Sequence, residues 1–139
     1  MTEEAKANLP LYKYAGGDEG YMQKYFYTPV SNYLVNKIPD CIAPNLITLT
    51  GFGFSIMPFV YIFSVFGTHY YNESPTLPKI PGWVFFAEAV CYILYRLLDE
   101  LDGKQARRTG NSSPLGLIFD HGCDAFAVGL QCMILVKLT

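Results

Sequence analysis

The chain has 139 residues, the length of one ordinary domain, yet 51% of it is hydrophobic and only 16% is charged, well under the quarter typical of soluble domains. A formal net charge of -2, with Lys and Arg spread thinly, excludes a basic nucleic-acid footprint; ten Phe and eleven Tyr point to a membrane instead. Cys41, Cys91, Cys123 and Cys132 show no CxxC spacing, which argues against a zinc site or disulfide framework and for reduced, small buried side chains.

The N-terminal stretch MTEEAKANLPLYKY is polar and acidic where a cleaved signal needs a basic start and an apolar run, so insertion is expected to use internal segments. Residues 1–44 are assigned to an N-terminal segment. Within it, apolar residues at Met22, Tyr25, Phe26, Pro29, Val30, Tyr33 and Leu34 follow the i, i+3, i+4, i+7 pattern, predicting an amphipathic helix over about residues 20–38. Lys24, Ser31 and Asn32 fall on its polar side, and Pro29 kinks it or starts its second half. So many tyrosines on one face suit a helix lying in the headgroup layer; a helix packed on a soluble neighbour is the alternative.

Residues 45–139 read as a transmembrane region. Leu46 to Phe66 runs twenty-one residues without a charge, close to the roughly 20 that cross a hydrocarbon core. Pro58 is tolerable there if neighbouring helices satisfy the carbonyl it frees. Thr68 to Gly82, rich in Pro, Asn and Tyr, predicts a loop. Two further spans are expected over about 82–107 and 114–138, each interrupted by charges that lie toward the linker ARRTGNSSP, where water reaches them. The predicted class is therefore all-α and polytopic, with an interfacial helix followed by three spans. Lys6, Lys13, Lys24 and Lys37, and again Lys104, Arg107 and Arg108, lie on one side of it, while the Thr68 to Gly82 loop has Lys79 alone. The positive-inside rule then puts the N-terminus and the linker in the cytoplasm.

That linker joins Asp99 and Asp102 to Asp120 and Asp124. Spacings of i, i+3 and i, i+4 project each pair from one face of its helix, and two antiparallel neighbours would bring all four carboxylates to one point. Four anions gathered there demand counter-ions. Carboxylate oxygens are the ligands that Mg²⁺ and Mn²⁺ prefer, and a two-metal site clamps a diphosphate during displacement at phosphorus. Gly103, Ala106 and Gly116 are small enough to let a base or phosphate approach the backbone, or merely to let helices pack closely. Arg107 is placed to meet phosphate charge, or else to snorkel. A proton or cation pathway would not require this spacing.

Written out, Asp99-x2-Asp102-Gly103-x2-Ala106-Arg107-x8-Gly116-x3-Asp120-x3-Asp124 resembles the signature of the CDP-alcohol phosphotransferase family at every specified position. The wording DGKQARRT, SSPLG and FDHGCD, with LYKYAGGDEGY and PNLITLTGF upstream, is similar to the eukaryotic choline and ethanolamine phosphotransferases. The resemblance implies a multi-pass enzyme of the endoplasmic reticulum or Golgi membrane, with its active site facing the cytoplasm. It would move phosphocholine or phosphoethanolamine from CDP-choline or CDP-ethanolamine to diacylglycerol, release CMP and use Mg²⁺ or Mn²⁺.

By position Asp99, Asp102 and Asp120 would hold metal and the diphosphate, and Asp124 would deprotonate the acceptor hydroxyl while also touching metal. His121 is a competing base on chemical grounds, or a group that orients a carboxylate. Gly103, Ala106 and Gly116 match cytidine-pocket positions, which Asn45, with Thr48 beside it, would close. The resemblance covers nearly all of this chain but only an early part of such enzymes, stopping at the third span. Downstream helices would carry much of the acceptor chamber and the contacts of a homodimer. A non-catalytic fragment that binds CDP-alcohol or pairs with a full-length homologue is the rival reading. Glu88 has no task in the signature and would meet a residue on a helix that this chain does not contain.

Overall fold

A computed structural model describes residues 20–67 and 80–136, and every described element is helical. A π-helical turn, Gln23–Tyr27, leads into α1, Thr28–Val35; then come α2, Pro44–Phe66, α3, Gly82–Thr109, and α4, Pro114–Leu135. The N-terminal tail, most of the loop expected over Thr68–Gly82 and the last residues of the third expected span lie outside the described residues.

The helix boundaries follow from local chemistry. Proline occupies the first turn of both α2 and α4, where its missing N–H is no loss and its φ is preset for a helix. At the start of α4 the Ser113 hydroxyl accepts a hydrogen bond from Gly116 N at 3.0 Å, satisfying one of the orphan donors there. Helix α3 ends at Gly110, which takes the left-handed conformation at φ 69° that a side chain would resist; Asn111 N closes back on Ala106 O at 2.9 Å. The π-turn sits just ahead of Pro29, which lacks the N–H an α-helix would return to the preceding turn. The wider turn lets the chain pass proline without breaking the helix.

Helices α2 and α4 are long and apolar enough to cross a membrane, whereas α3, at 28 residues, is long enough but carries Glu88, Arg96 and the charged residues from Asp99 onward. The order of packing differs from the simple hairpin. Helix α2 lies along both α3 and α4, and these two do not pack along one another. The residues that permit close approach explain this. A Cβ added at Gly51 of α2 would stand 3.2 Å from Leu98 Cβ and 3.5 Å from Tyr95 O, so glycine sets the α2–α3 separation. Ser55, also buried on α2, accepts from Gln131 of α4 at 3.4 Å. Two apolar clusters close the bundle: Ile62, Val84 and Ile134 at one level, and Val35, Ile47 and Leu101 at the other.

Helix α1 packs on α3. Ser31, placed on the polar side by periodicity, is instead fully buried, giving its proton to Tyr27 O at 2.7 Å and accepting from Lys104 Nζ at 2.7 Å. Tyr21, Met22, Tyr25, Phe26 and Tyr33 face outward. The α3 side chains also hold the connection to α2: fully buried Gln105 donates to Pro39 O and Ile42 O, both at 3.1 Å, and Arg108 donates to Val35 O and Ile38 O while pairing with Asp40 at 2.7 Å.

Candidate active site

Near their linker ends α3 and α4 carry the four aspartates, each in different surroundings. Asp99 forms an ion pair with Arg96, one turn earlier on α3. Asp102 is 5% exposed and accepts the hydroxyl of Thr48, which comes from the first turns of α2. Asp124 accepts the Tyr95 hydroxyl at Oδ1 and has His121 Nδ1 4.0 Å from Oδ2. Asp120 Oδ1 is buried with no hydrogen-bond partner among the described residues.

Ligand atoms of Asp120, His121 and Asp124 lie within 4.8 Å of one another, close enough to share one cation. Asp99 and Asp102 stand outside that tight group. They nonetheless belong to the same electrostatic field: Asp99 is within range of Asp120 and Asp124, and Asp102 within range of Asp120 and Asp99. A bare carboxylate oxygen accepts only, so burial of Asp120 Oδ1 without a donor is costly unless a cation meets it. Hard oxygen donors plus one imidazole suit Mg²⁺ or Mn²⁺. The residues therefore fit a divalent cation.

Among the three cations of the segment GKQARR, the structure separates the roles. Lys104 turns to α1 and to Glu100, at 3.1 Å, and Arg108 turns to the linker before α2. Arg107 is exposed, with its guanidinium beside Gly103, where a Cβ would stand 3.6 Å from Nη1. Gly116 and Asn45 come together from α4 and α2: a Cβ at Gly116 would stand 3.6 Å from Asn45 Oδ1, and 3.2 Å from the capping Ser113 Oγ. Ala106 is half-buried on α3. An apolar groove of about 200 Å³ lies between Ile38, Ile42, Leu46, Ile47, Thr50 and Leu98; none of the acids lines it, so it is no place for a diphosphate.

Sequence reasoning did not single out Tyr95 or assign Arg96 a partner, and it gave Thr48 to a nucleoside pocket, where the structure joins it to Asp102. Arg96 and Tyr95 precede Asp99 by three and four positions, a same-face spacing that was available as a signal. Glu88 Oε2 is buried and, like Asp120 Oδ1, has no partner among the described residues.

Comparison with known proteins shows the family of the chain. The profile of the CDP-alcohol phosphatidyltransferase family matches residues 41–139. Choline/ethanolaminephosphotransferase 1 of Arabidopsis thaliana is 43% identical over 127 residues, which cover 91% of this chain and 31% of that protein. Choline/ethanolaminephosphotransferase 2 of the same plant is 44% identical, covering 91% and 31%, and human Ethanolaminephosphotransferase 1 is 35% identical, covering 91% and 32%. The chain thus spans about a third of the length of these curated relatives. It belongs to the membrane-embedded CDP-alcohol phosphatidyltransferase family.

Proposed function

We propose, from the chain's membership of the CDP-alcohol phosphatidyltransferase family, that it serves the transfer of phosphocholine or phosphoethanolamine from CDP-choline or CDP-ethanolamine to diacylglycerol, with release of CMP, the last step of the Kennedy pathway. The names of the plant and human relatives support the substrate class. The observation that carries the reading is the gathering of Asp120, His121 and Asp124 within ligand distance of one another, beside a buried and unpartnered Asp120 oxygen.

In this reading Asp99, Asp102 and Asp120, with Asp124 at the edge, would hold two divalent ions. Mg²⁺ or Mn²⁺ bound there would supply charge neutralisation for a diphosphate. Asp124 takes the proton of the diacylglycerol hydroxyl as that oxygen bonds to the phosphorus bearing the alcohol, and the bond from this phosphorus to the CMP oxygen breaks. His121 orients the Asp124 carboxylate. Arg107 meets diphosphate charge, and Gly103, Ala106, Gly116 and Asn45 form the wall against the cytidine.

The membrane arrangement belongs to the same proposal. Three spans, over about 46–66, 82–107 and 114–138, follow an interfacial helix near residues 20–38 whose exposed aromatic face lies in the headgroup layer. The acids face the cytoplasm at the endoplasmic reticulum or Golgi membrane, and a homodimer is the assembly. Charges at the linker end of α3 are compatible with a span, because water reaches them there.

The test is transfer of labelled phosphocholine or phosphoethanolamine to diacylglycerol in membranes carrying the chain. Asp120→Ala and Asp124→Ala should each lower the rate by on the order of 10²-fold or more. Chelation should abolish transfer and added Mn²⁺ restore it. Undiminished turnover in both variants would rule the assignment out. Retention of CDP-alcohol with no transfer would assign the second reading, a binding fragment.

A further inference from the structure

Tyr95 connects all three long helices at the level of the acids. It stands on α3 with 5% exposure, and a Cβ added at Gly51 of α2 would lie 3.7 Å from its Cδ2, so the ring rests on the surface that glycine leaves open. Its hydroxyl donates to Asp124 Oδ1 on α4. The other Asp124 oxygen, Oδ2, lies on the His121 side. The phenol is therefore engaged with one oxygen of this carboxylate while the second points toward the group formed with Asp120 and His121. A Tyr hydroxyl suits this task chemically. It is a neutral donor, so it fixes an anion without adding a cation that would compete with a metal for the same carboxylate.

We propose that Tyr95 is a positioning residue for Asp124. By occupying Oδ1 it locks the carboxylate rotamer and leaves Oδ2 as the working oxygen of the site. The inference rests on the functional reading of Asp124 given above, and it adds a residue outside the acidic signature. Hydrogen-bonded partners of metal-binding groups commonly alter affinity or activity about 10- to 100-fold when removed, which is the scale expected here. Simple packing is the rival role, and Tyr95→Phe separates the two because it keeps the ring against Gly51 and deletes only the donor.

The experiment compares the chain in nanodiscs with Tyr95→Phe, Asp124→Asn and the double variant, reading Mn²⁺ binding by electron paramagnetic resonance, transfer kinetics and melting temperature. Tyr95→Phe should weaken Mn²⁺ binding about tenfold and lower kcat about tenfold, with KM for the CDP-alcohol unchanged and with any fall in melting temperature lost in the Asp124→Asn background. In the Asp124→Asn background it should add nothing to either loss. Unchanged Mn²⁺ binding and kcat in Tyr95→Phe would overturn the positioning role. So would a fall in melting temperature of the same size with or without Asp124, which is the mark of packing. An effect of Asp124→Asn without one of Tyr95→Phe removes Tyr95 alone; no effect of Asp124→Asn on binding or transfer removes the functional reading and this inference with it.

Discussion

Asp99 pairs with Arg96, Asp102 takes the Thr48 hydroxyl, Asp124 takes that of Tyr95, and one Asp120 oxygen is buried with no partner among the described residues. Such differences let four like side chains divide labour. Asp99, Asp102 and Asp124 each have a side-chain partner, whereas the buried Asp120 oxygen has none among the described residues, as the proposed cation site requires. The Thr48 contact predicts a stability effect distinct from catalysis. Thr48→Val strips the donor from a nearly buried carboxylate and should cost about 1–3 kcal/mol in thermal unfolding, while Thr48→Ser restores most of it. The pairing of acids within each helix was legible from i, i+3 and i, i+4 spacing. Thr48 was not legible as the partner of Asp102, because 54 residues separate them and their meeting depends on the register of α2 against α3. Likewise the role of Tyr95 depends on where α4 brings Asp124.

At the scale of elements, Gly51 and the Ser113 cap position what the acids need. Gly51→Val would force Leu98 and the α3 backbone away from α2, and an overpacked contact of this kind typically costs about 1–3 kcal/mol. The expected outcome is a lower melting temperature together with weaker metal binding, because Tyr95 and Asp102 move with α3. Ser113→Ala removes the hydroxyl that caps α4 and should cost about 1 kcal/mol, with a smaller effect on the site. Helix α4 begins at Pro114, directly after the Ser113 cap. Helix α1 shows what periodicity alone misjudged: Ser31 is counted as polar and therefore outward, yet Lys104 and the Tyr27 carbonyl satisfy it inside the α1–α3 contact. A polar residue with its partners supplied can be buried, and that supply comes from a helix 73 residues away.

For the whole molecule, α2 is the element that packs along both α3 and α4, and α1 is strapped to the linker end of α3. Hydropathy marked α2 as the clearest span, whereas the runs that form α3 and α4 are both interrupted by charges, among them the acids of the candidate site; α4 is nonetheless long and apolar enough to cross a membrane. The expectation of buried cysteines holds for Cys123 but not for Cys41 and Cys132; Cys41, exposed in the connection between α1 and α2, can report the orientation proposed here. In a variant keeping Cys41 as its one cysteine, a membrane-impermeant maleimide should label sealed microsomes from the cytoplasmic side; labelling only after the lumen is opened would invert the topology.

Sharing of metal between α3 and α4 is tested most directly by a Mn²⁺ titration of the chain in nanodiscs, followed by electron paramagnetic resonance, with Asp99→Asn on α3, Asp120→Asn on α4, and both together. The account expects each substitution alone to weaken binding by about tenfold or more, and the pair to lose less than the product of the two, because both helices serve one ion cluster. Binding that depends on Asp120 but is indifferent to Asp99 would contradict it, leaving a site on α4 alone.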